Sequence, residues 1–456
     1  MRAERDILGE ISLPDDCLWG INTERARINF QISPFRLPLG FIQAIALIKK
    51  HYALANSQHG NLNQDTAKAI SLAAAEIWEG KLADQFPLDV FQTGSATSTN
   101  MNVNEVVSNR AKQIFKDQFG TEPVIHPNDH VNLGQSSNDV VPSAIKIATL
   151  VAFRDKLSPA LQQIIEALEK KEKQFSKVIK LGRTHLQDAV PLTVGQEISG
   201  WRTQIKWAFD QLKVISNELH KVPLGGTAVG TGVNCSKEVV ESVLEGLRKD
   251  LGLNIVATEN NFASQSNVNV LYSFSAGISR LCLALLKFLN DLRFLSSGPS
   301  GGYAEYRIPS IQAGSSIMPG KINPVALESA SMVCFFCLGL HQSVAFGETV
   351  SNFQLNTALP LVAFCLLTQI EVLANSLSNL REKVIEGLEV DEARCFQLAQ
   401  SSPSLATPLT RVIGYDLSAK VVKHAVENRI PIKQAVRELG LNVANLDELL
   451  DLKNFI

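Results

Sequence analysis

Chemistry is most concentrated between Gly314 and Pro324. This stretch sets Ser315, Ser316, Lys321 and Asn323 among two glycines and two prolines. Glycine lets a backbone approach a ligand closely. Serine hydroxyls, an ammonium and a carboxamide are the groups that hold oxyanions. Pro324 suits the first position of a helix with Asn323 as its cap, and a helix N-terminus favours anions. A carboxylate or phosphate is the predicted ligand, although an ordinary polar turn uses the same residues. Three more polar segments punctuate apolar sequence. Residues 93–102 carry Ser95 and Thr97. Residues 126–139 carry His126, Asn128, Asp129, His130, Ser136, Ser137 and Asn138. Residues 182–188 carry Arg183, Thr184 and His185. Each segment is read as ending where a helix begins, and singly each is a cap and a turn. Together they offer many neutral donors, a few cations and few carboxylates. That inventory fits a small dianion and fits metal or nucleic acid badly. No HxH or HxxE pair falls on a predicted helix, so no metal site is expected. The Gly/Thr-rich stretch 223–232 lacks the GxGxxG spacing of a dinucleotide loop.

The elements that must position these groups are mainly helices. Helical periodicity covers 41–57, 64–79, 103–119 and 238–251. It also covers a long run from about 140 to 178 with Pro159 near its middle, predicted to kink or break there. Further long runs span 192–222, 265–297, 325–344 and 359–386, and shorter ones 417–428 and 432–439. Residues 1–40 are predicted irregular. Convincing strand alternation is scarce. The fold class is mostly α, in three segments: an N-terminal domain over 1–138, a central long-helix bundle over 139–390, and a small helical domain over 391–456. Helices apolar nearly all round need burial in a bundle or against other subunits, so an oligomer is expected. Lys plus Arg is 43 against 45 Asp plus Glu, a formal charge of −2. That gives no electrostatic case for nucleic acid or an acidic membrane. The charged N-terminus predicts no signal peptide. The most apolar windows, 333–340 and 361–370, are predicted too short or too interrupted to span a bilayer. Seven scattered cysteines fit a reducing, cytoplasmic compartment. The Cys334/Cys337 pair is predicted to be two buried thiols rather than a redox or zinc motif.

Read as blocks, the sequence resembles the fumarase/aspartase superfamily along most of its length. GSSIMPGKINP resembles the superfamily's signature loop. TGSATSTNMNVNEVVSNRA, HPNDHVNLGQSSND, GRTHLQDAVPLTVGQE and VPLGGTAVGTGVN resemble further family blocks in the expected order. The resemblance implies a three-domain helical subunit in a homotetramer whose active sites are each shared by three subunits. It implies no cofactor and a small dicarboxylate substrate, with reversible anti elimination through an aci-carboxylate. Hydration of fumarate to L-malate is the expected reaction, aspartate ammonia-lyase the alternative, and an inactive crystallin-like member a third reading. By resemblance, Ser315 is the base, His185 handles the leaving group or water, Glu328 pairs with His185, and Lys321 and Asn323 hold the carboxylate. Ser95, Thr97, Ser136, Ser137, Asn138 and Thr184 resemble the other substrate-binding positions. His126, Asn128 and Asp129 resemble a secondary anion site. Two departures stand out: Ala96 replaces a usual glycine, and Ser300 a usual arginine.

Overall fold

The computed structural model describes residues 1–121 and 123–456. In chain order it runs β1 (Arg2–Asp6), β2 (Gly9–Leu13), α1 (Ile21–Asn29), α2 (Leu39–Gln58), α3 (Gln64–Trp78), α4 (Thr97–Phe119), α5 (Ser137–Ala152), α6 (Ser158–Gln174), β3 (Ile179–Thr184) and β4 (Gln187–Thr193). It continues through α7 (Val194–Ser216), α8 (Lys237–Leu251), α9 (Asn261–Ser266), α10 (Asn269–Leu295), α11 (Val325–Glu348), α12 (Leu359–Leu380) and α13 (Glu392–Ser401). The shorter helices α14 (Thr410–Ile413), α15 (Tyr415–Asn428), α16 (Ile432–Glu438) and α17 (Leu446–Leu449) close the chain. The chain is mostly α, as expected. Among the described residues its sheets are two-stranded only, β1 with β2 and β3 with β4 both antiparallel.

Two compact units emerge, each drawn from three separate segments. The first takes Met1–Pro159, Phe209–Arg280 and Phe335–Ala374. Its core is seeded by α2, where Phe41, Ile45, Ile48 and Tyr52 recur at helical spacing and are all essentially buried. Helix α3 is capped by Asn63, whose side chain accepts from the Asp65 and Thr66 amides. Helix α5 opens with a capping box between Ser136 and Asp139. Glu105 of α4 is buried and receives the amides of Gly20, Asn22 and Thr23, which fixes the start of α1. The first 40 residues therefore hold a hairpin and a helix, with irregular chain only at 14–20 and 30–38.

The second unit takes Ala160–Ala208, Leu281–Cys334 and Asn375–Ile456. Leu405, Leu409, Val421, Ile432 and Val436 pack there around Leu181 of β3. Each such aliphatic residue contributes about 1.5–3 kcal/mol by leaving water. The β3–β4 hairpin corrects the reading of 182–188 as a loop before a helix. Its strands are short, and alternation over so few residues is hard to see.

Helix boundaries differ from expectation in two informative places. Helix α4 starts at Thr97, six residues before its apolar run. Its first turns are polar but not solvated: Thr99, Asn100 and Asn102 are buried. Their side chains bond Gln92, Asn132 and the Gln85 carbonyl. At Pro159 the long helix neither breaks nor ends. Residues Phe153–Leu157 form a π-helical turn, with the Ser158 amide donating to the Phe153 carbonyl. The wider turn accommodates the missing Pro159 donor.

Three helical stretches, Asn269–Leu295, Val325–Glu348 and Leu359–Ile385, are long and apolar enough to cross a membrane by length and composition. This corrects the expectation that the apolar windows are too short. Cys334 and Cys337 are buried and unpaired, as predicted.

Candidate functional site

The predicted site residues fall into two groups, one in each unit. In the first unit, Ser95 Oγ lies 2.8 Å from Thr97 Oγ1, which lies 2.7 Å from Ser137 Oγ. Three hydroxyls, from the turn before α4 and the first residues of α4 and α5, thus form one chain. The turn is held tightly. A Cβ on Gly94 would sit 2.0 Å from the Thr357 carbonyl oxygen, and the Leu359 amide donates to the Gly94 carbonyl at 2.9 Å. Ala96 takes φ +55°, left-handed backbone that glycine adopts more easily. Ser136 caps α5, and Asn138 Nδ2 donates to the Ala228 carbonyl at 2.8 Å.

Asp139 is the residue here to which sequence reading gave no role. It is fully buried. Its Oδ1 accepts from the Ser136 amide, and its Oδ2 from the Gly225 and Thr227 amides, each at 3.0 Å. Burial raises its pKa to about 6, against the lowering effect of those amides. Lys49 is also buried, with Nζ 3.1 Å from Asn132 Oδ1 and 3.3 Å from Gln135 Oε1. Burial lowers it to about 7. The available signal was a lysine inside the apolar run of α2.

Pro127–Val131 form a single π turn. His126 Nδ1 lies 3.3 and 3.2 Å from the Asn128 and Asp129 amide nitrogens. The Asp129 carboxylate lies 3.2 Å from that same Nδ1.

In the second unit, Ser315 Oγ accepts from the Ile317 and Met318 amides at 3.2 and 2.9 Å. The loop closes on itself. The Gly314 amide donates to the Lys321 carbonyl, and Asn323 Nδ2 to the Gly314 carbonyl, both at 2.8 Å. Helix α11 follows, with Glu328 in its first turn. Lys321, Asn323 and Glu328 line one cavity of about 1440 Å³ together with Arg293, Arg307 and Arg394. Those arginines were not singled out from the sequence, because they lie outside the polar segments.

Thr184 ends β3, and His185 and Leu186 form the two-residue turn, both exposed, at φ +55° and +60°. Two successive left-handed residues are the backbone of a type I′ turn, ordinarily built from Asn and Gly. Beneath the turn lies a buried charge cluster. Arg183 donates to Glu305 at 2.8 and 3.3 Å, and its guanidinium stacks over Tyr303 at 4.3 Å. Lys180 lies 2.8 Å from both Glu197 oxygens and 3.3 Å from Glu305. Lys180 and Glu305 are fully buried. Among the described residues no group of three His, Cys, Asp or Glu is placed to hold a metal ion.

The family described as lyase matches residues 9–339, and the fumarase C C-terminus matches 405–456. Class II fumarate hydratase of Thermus thermophilus is 43% identical over 441 residues, 96% of this chain and 94% of that one. This chain belongs to the class II fumarase family of lyases. The class II fumarase of Schistosoma mansoni, in a crystal structure, superposes with a TM-score of 0.95 at 36% identity, covering 99% of this chain and 98% of that one. A fumarate lyase:delta crystallin of Brucella melitensis, bound to cobalt, gives 0.94 at 38% identity, covering 100% and 99%. Family membership accounts for the order in which the polar blocks occur.

Proposed function

We propose that this chain catalyses the reversible hydration of fumarate to L-malate. The observation that carries the reading is its match to class II fumarate hydratases over nearly the whole length of both chains. Starting from L-malate, Ser315 removes the C3 proton. The C–H electron pair passes into the adjacent carboxylate as an aci-carboxylate. That pair then forms the double bond as hydroxide leaves C2, protonated to water through His185. A serine alkoxide is a poor species in water, and two amide donors on Ser315 Oγ favour the ionised form. The extra charge on the aci-carboxylate needs donors already in place. Lys321 and Asn323 supply them, and Ser95, Thr97, Ser136, Ser137, Asn138 and Thr184 hold the rest of the dianion. Glu328 raises the basicity of His185. His126, Asn128 and Asp129 form a secondary anion site.

A homotetramer with each active site built from three subunits is part of the same reading. So are a cytoplasmic location, the division at 138 and 390, and the absence of cofactor, nucleic-acid or membrane partners. Exposed Phe335, Phe336 and Phe346 on α11 are the kind of surface such an assembly buries. The test follows fumarate's ultraviolet absorbance from L-malate and, separately, from L-aspartate. Turnover of L-malate is expected; turnover of L-aspartate alone overturns the assignment. Ser315→Ala should lower kcat by on the order of 10²–10⁴, and parental activity would remove Ser315 from the role of base.

A further inference from the structure

We propose that Asp139 is a positioning residue for the dicarboxylate pocket, tying the start of α5 to the turn at Gly225–Ala228. This rests on the reading that Ser136, Ser137 and Asn138 contact substrate. A helix cap needs only one carboxylate oxygen, and Oδ1 serves the Ser136 amide. The second oxygen leaves the helix altogether. It takes the amides of Gly225 and Thr227, 86 and 88 residues away. Asn138 repeats the connection through its bond to the Ala228 carbonyl. Three hydrogen bonds therefore join two loops that share no secondary structure.

The turn needs holding. Gly225 sits at φ +89° and Thr227 at φ +52°. A β-branched residue in left-handed backbone is an outlier that persists only where surrounding contacts fix it. Two amides converging on one oxygen anion provide that constraint. The Ser136, Gly225 and Thr227 amides are its hydrogen-bond partners, and the buried Lys49 ammonium is close enough to interact with its charge. Lys49 supports the same region from behind, through Asn132 and Gln135.

Asparagine cannot replace this carboxylate. In one orientation its amide nitrogen faces the Ser136 N–H. In the other it faces those of Gly225 and Thr227. Either way donors oppose donors and one loop is released. Loss of a contact made equally in ground and transition states raises KM more than it lowers kcat. Asp139→Asn in the full-length enzyme, assayed with fumarate and L-malate, should raise KM at least about tenfold and change kcat less than about threefold. Ser137→Ala serves as the control on the pocket itself and should also raise KM. If Ser137→Ala raises KM and Asp139→Asn does not, the positioning role is wrong while the pocket stands. If neither raises KM, the pocket reading fails and takes the proposal with it. Should Asp139→Asn not fold as the parent does, Asp139→Glu keeps a carboxylate able to cap α5 but displaces it by a methylene from the Gly225 and Thr227 amides. The same selective rise in KM is then expected, and an unchanged KM overturns the proposal.

Discussion

Removing the charge of Glu305 should expose how much the His185 hairpin depends on what lies beneath it. The carboxylate is fully buried and accepts from Arg183 at 2.8 and 3.3 Å, with Lys180 at 3.3 Å. Counting Glu197, the cluster holds two cations and two anions. Glu305→Gln leaves two cations facing one carboxylate and points an amide nitrogen at the guanidinium. Breaking a buried pair from one side costs about 3–5 kcal/mol. Unfolding entropy near 2.1 cal/mol/K per residue makes that a fall of roughly 3–5 °C in Tm for a chain of this length. Lys180→Met in the same chain restores the balance of charge and should recover about 1–3 kcal/mol, read as coupling in a double-mutant cycle. Arg183 lies two residues before His185, so kcat for L-malate should fall with Glu305→Gln and partly return in the double variant. Thermal unfolding and initial rates on the four proteins decide it. A Glu305→Gln protein within about 1 kcal/mol of the parent, or additive single effects, would refute the idea of an interdependent buried cluster.

Leu186 is exposed at φ +60°, so Leu186→Gly should relieve left-handed strain without losing burial, a net gain of about 0.5–1 kcal/mol in urea unfolding. His51 of α2 is buried and its pKa is held below 6.5, chiefly by burial, despite Asp250 at 3.1 Å. A depressed histidine contributes stability above its unfolded pKa and loses it as pH falls. Urea midpoints should therefore drop more steeply below about pH 6.5 in the parent than in His51→Gln. Burial pushes the Cys235 thiol up to about 11 and those of Cys365 and Cys395 to about 12. At pH 8 an aromatic disulfide should label Cys235 on the order of 10²-fold more slowly than a free thiol, with all seven cysteines titrating only in denaturant.

The sequence made the long helices legible because apolar residues at 3.6 spacing leave a pattern over many turns. It made the reactive blocks legible because Ser, Thr and Asn cluster where those helices end. The start of α4 was hidden by the same logic, since Thr97 to Asn102 have loop composition and yet pack inside. The β3–β4 hairpin was hidden because its strands carry mixed polar residues and its turn lacks the expected glycine. Lys180, Glu305 and Asp139 look like surface charges in sequence. Only burial separates them from the many that are. Assembly of each unit from three distant segments leaves no local trace at all.

Gly94 has a consequence for how this family can vary. Its backbone meets the Thr357 carbonyl with no room for a methyl group, whereas a Cβ on Gly40 meets nothing within 4 Å. In a saturation library selected for growth on the enzyme, position 94 should return glycine alone. Position 40 should accept alanine and more. The same residue type thus marks one of the most closed positions to genetic drift and one of the most open.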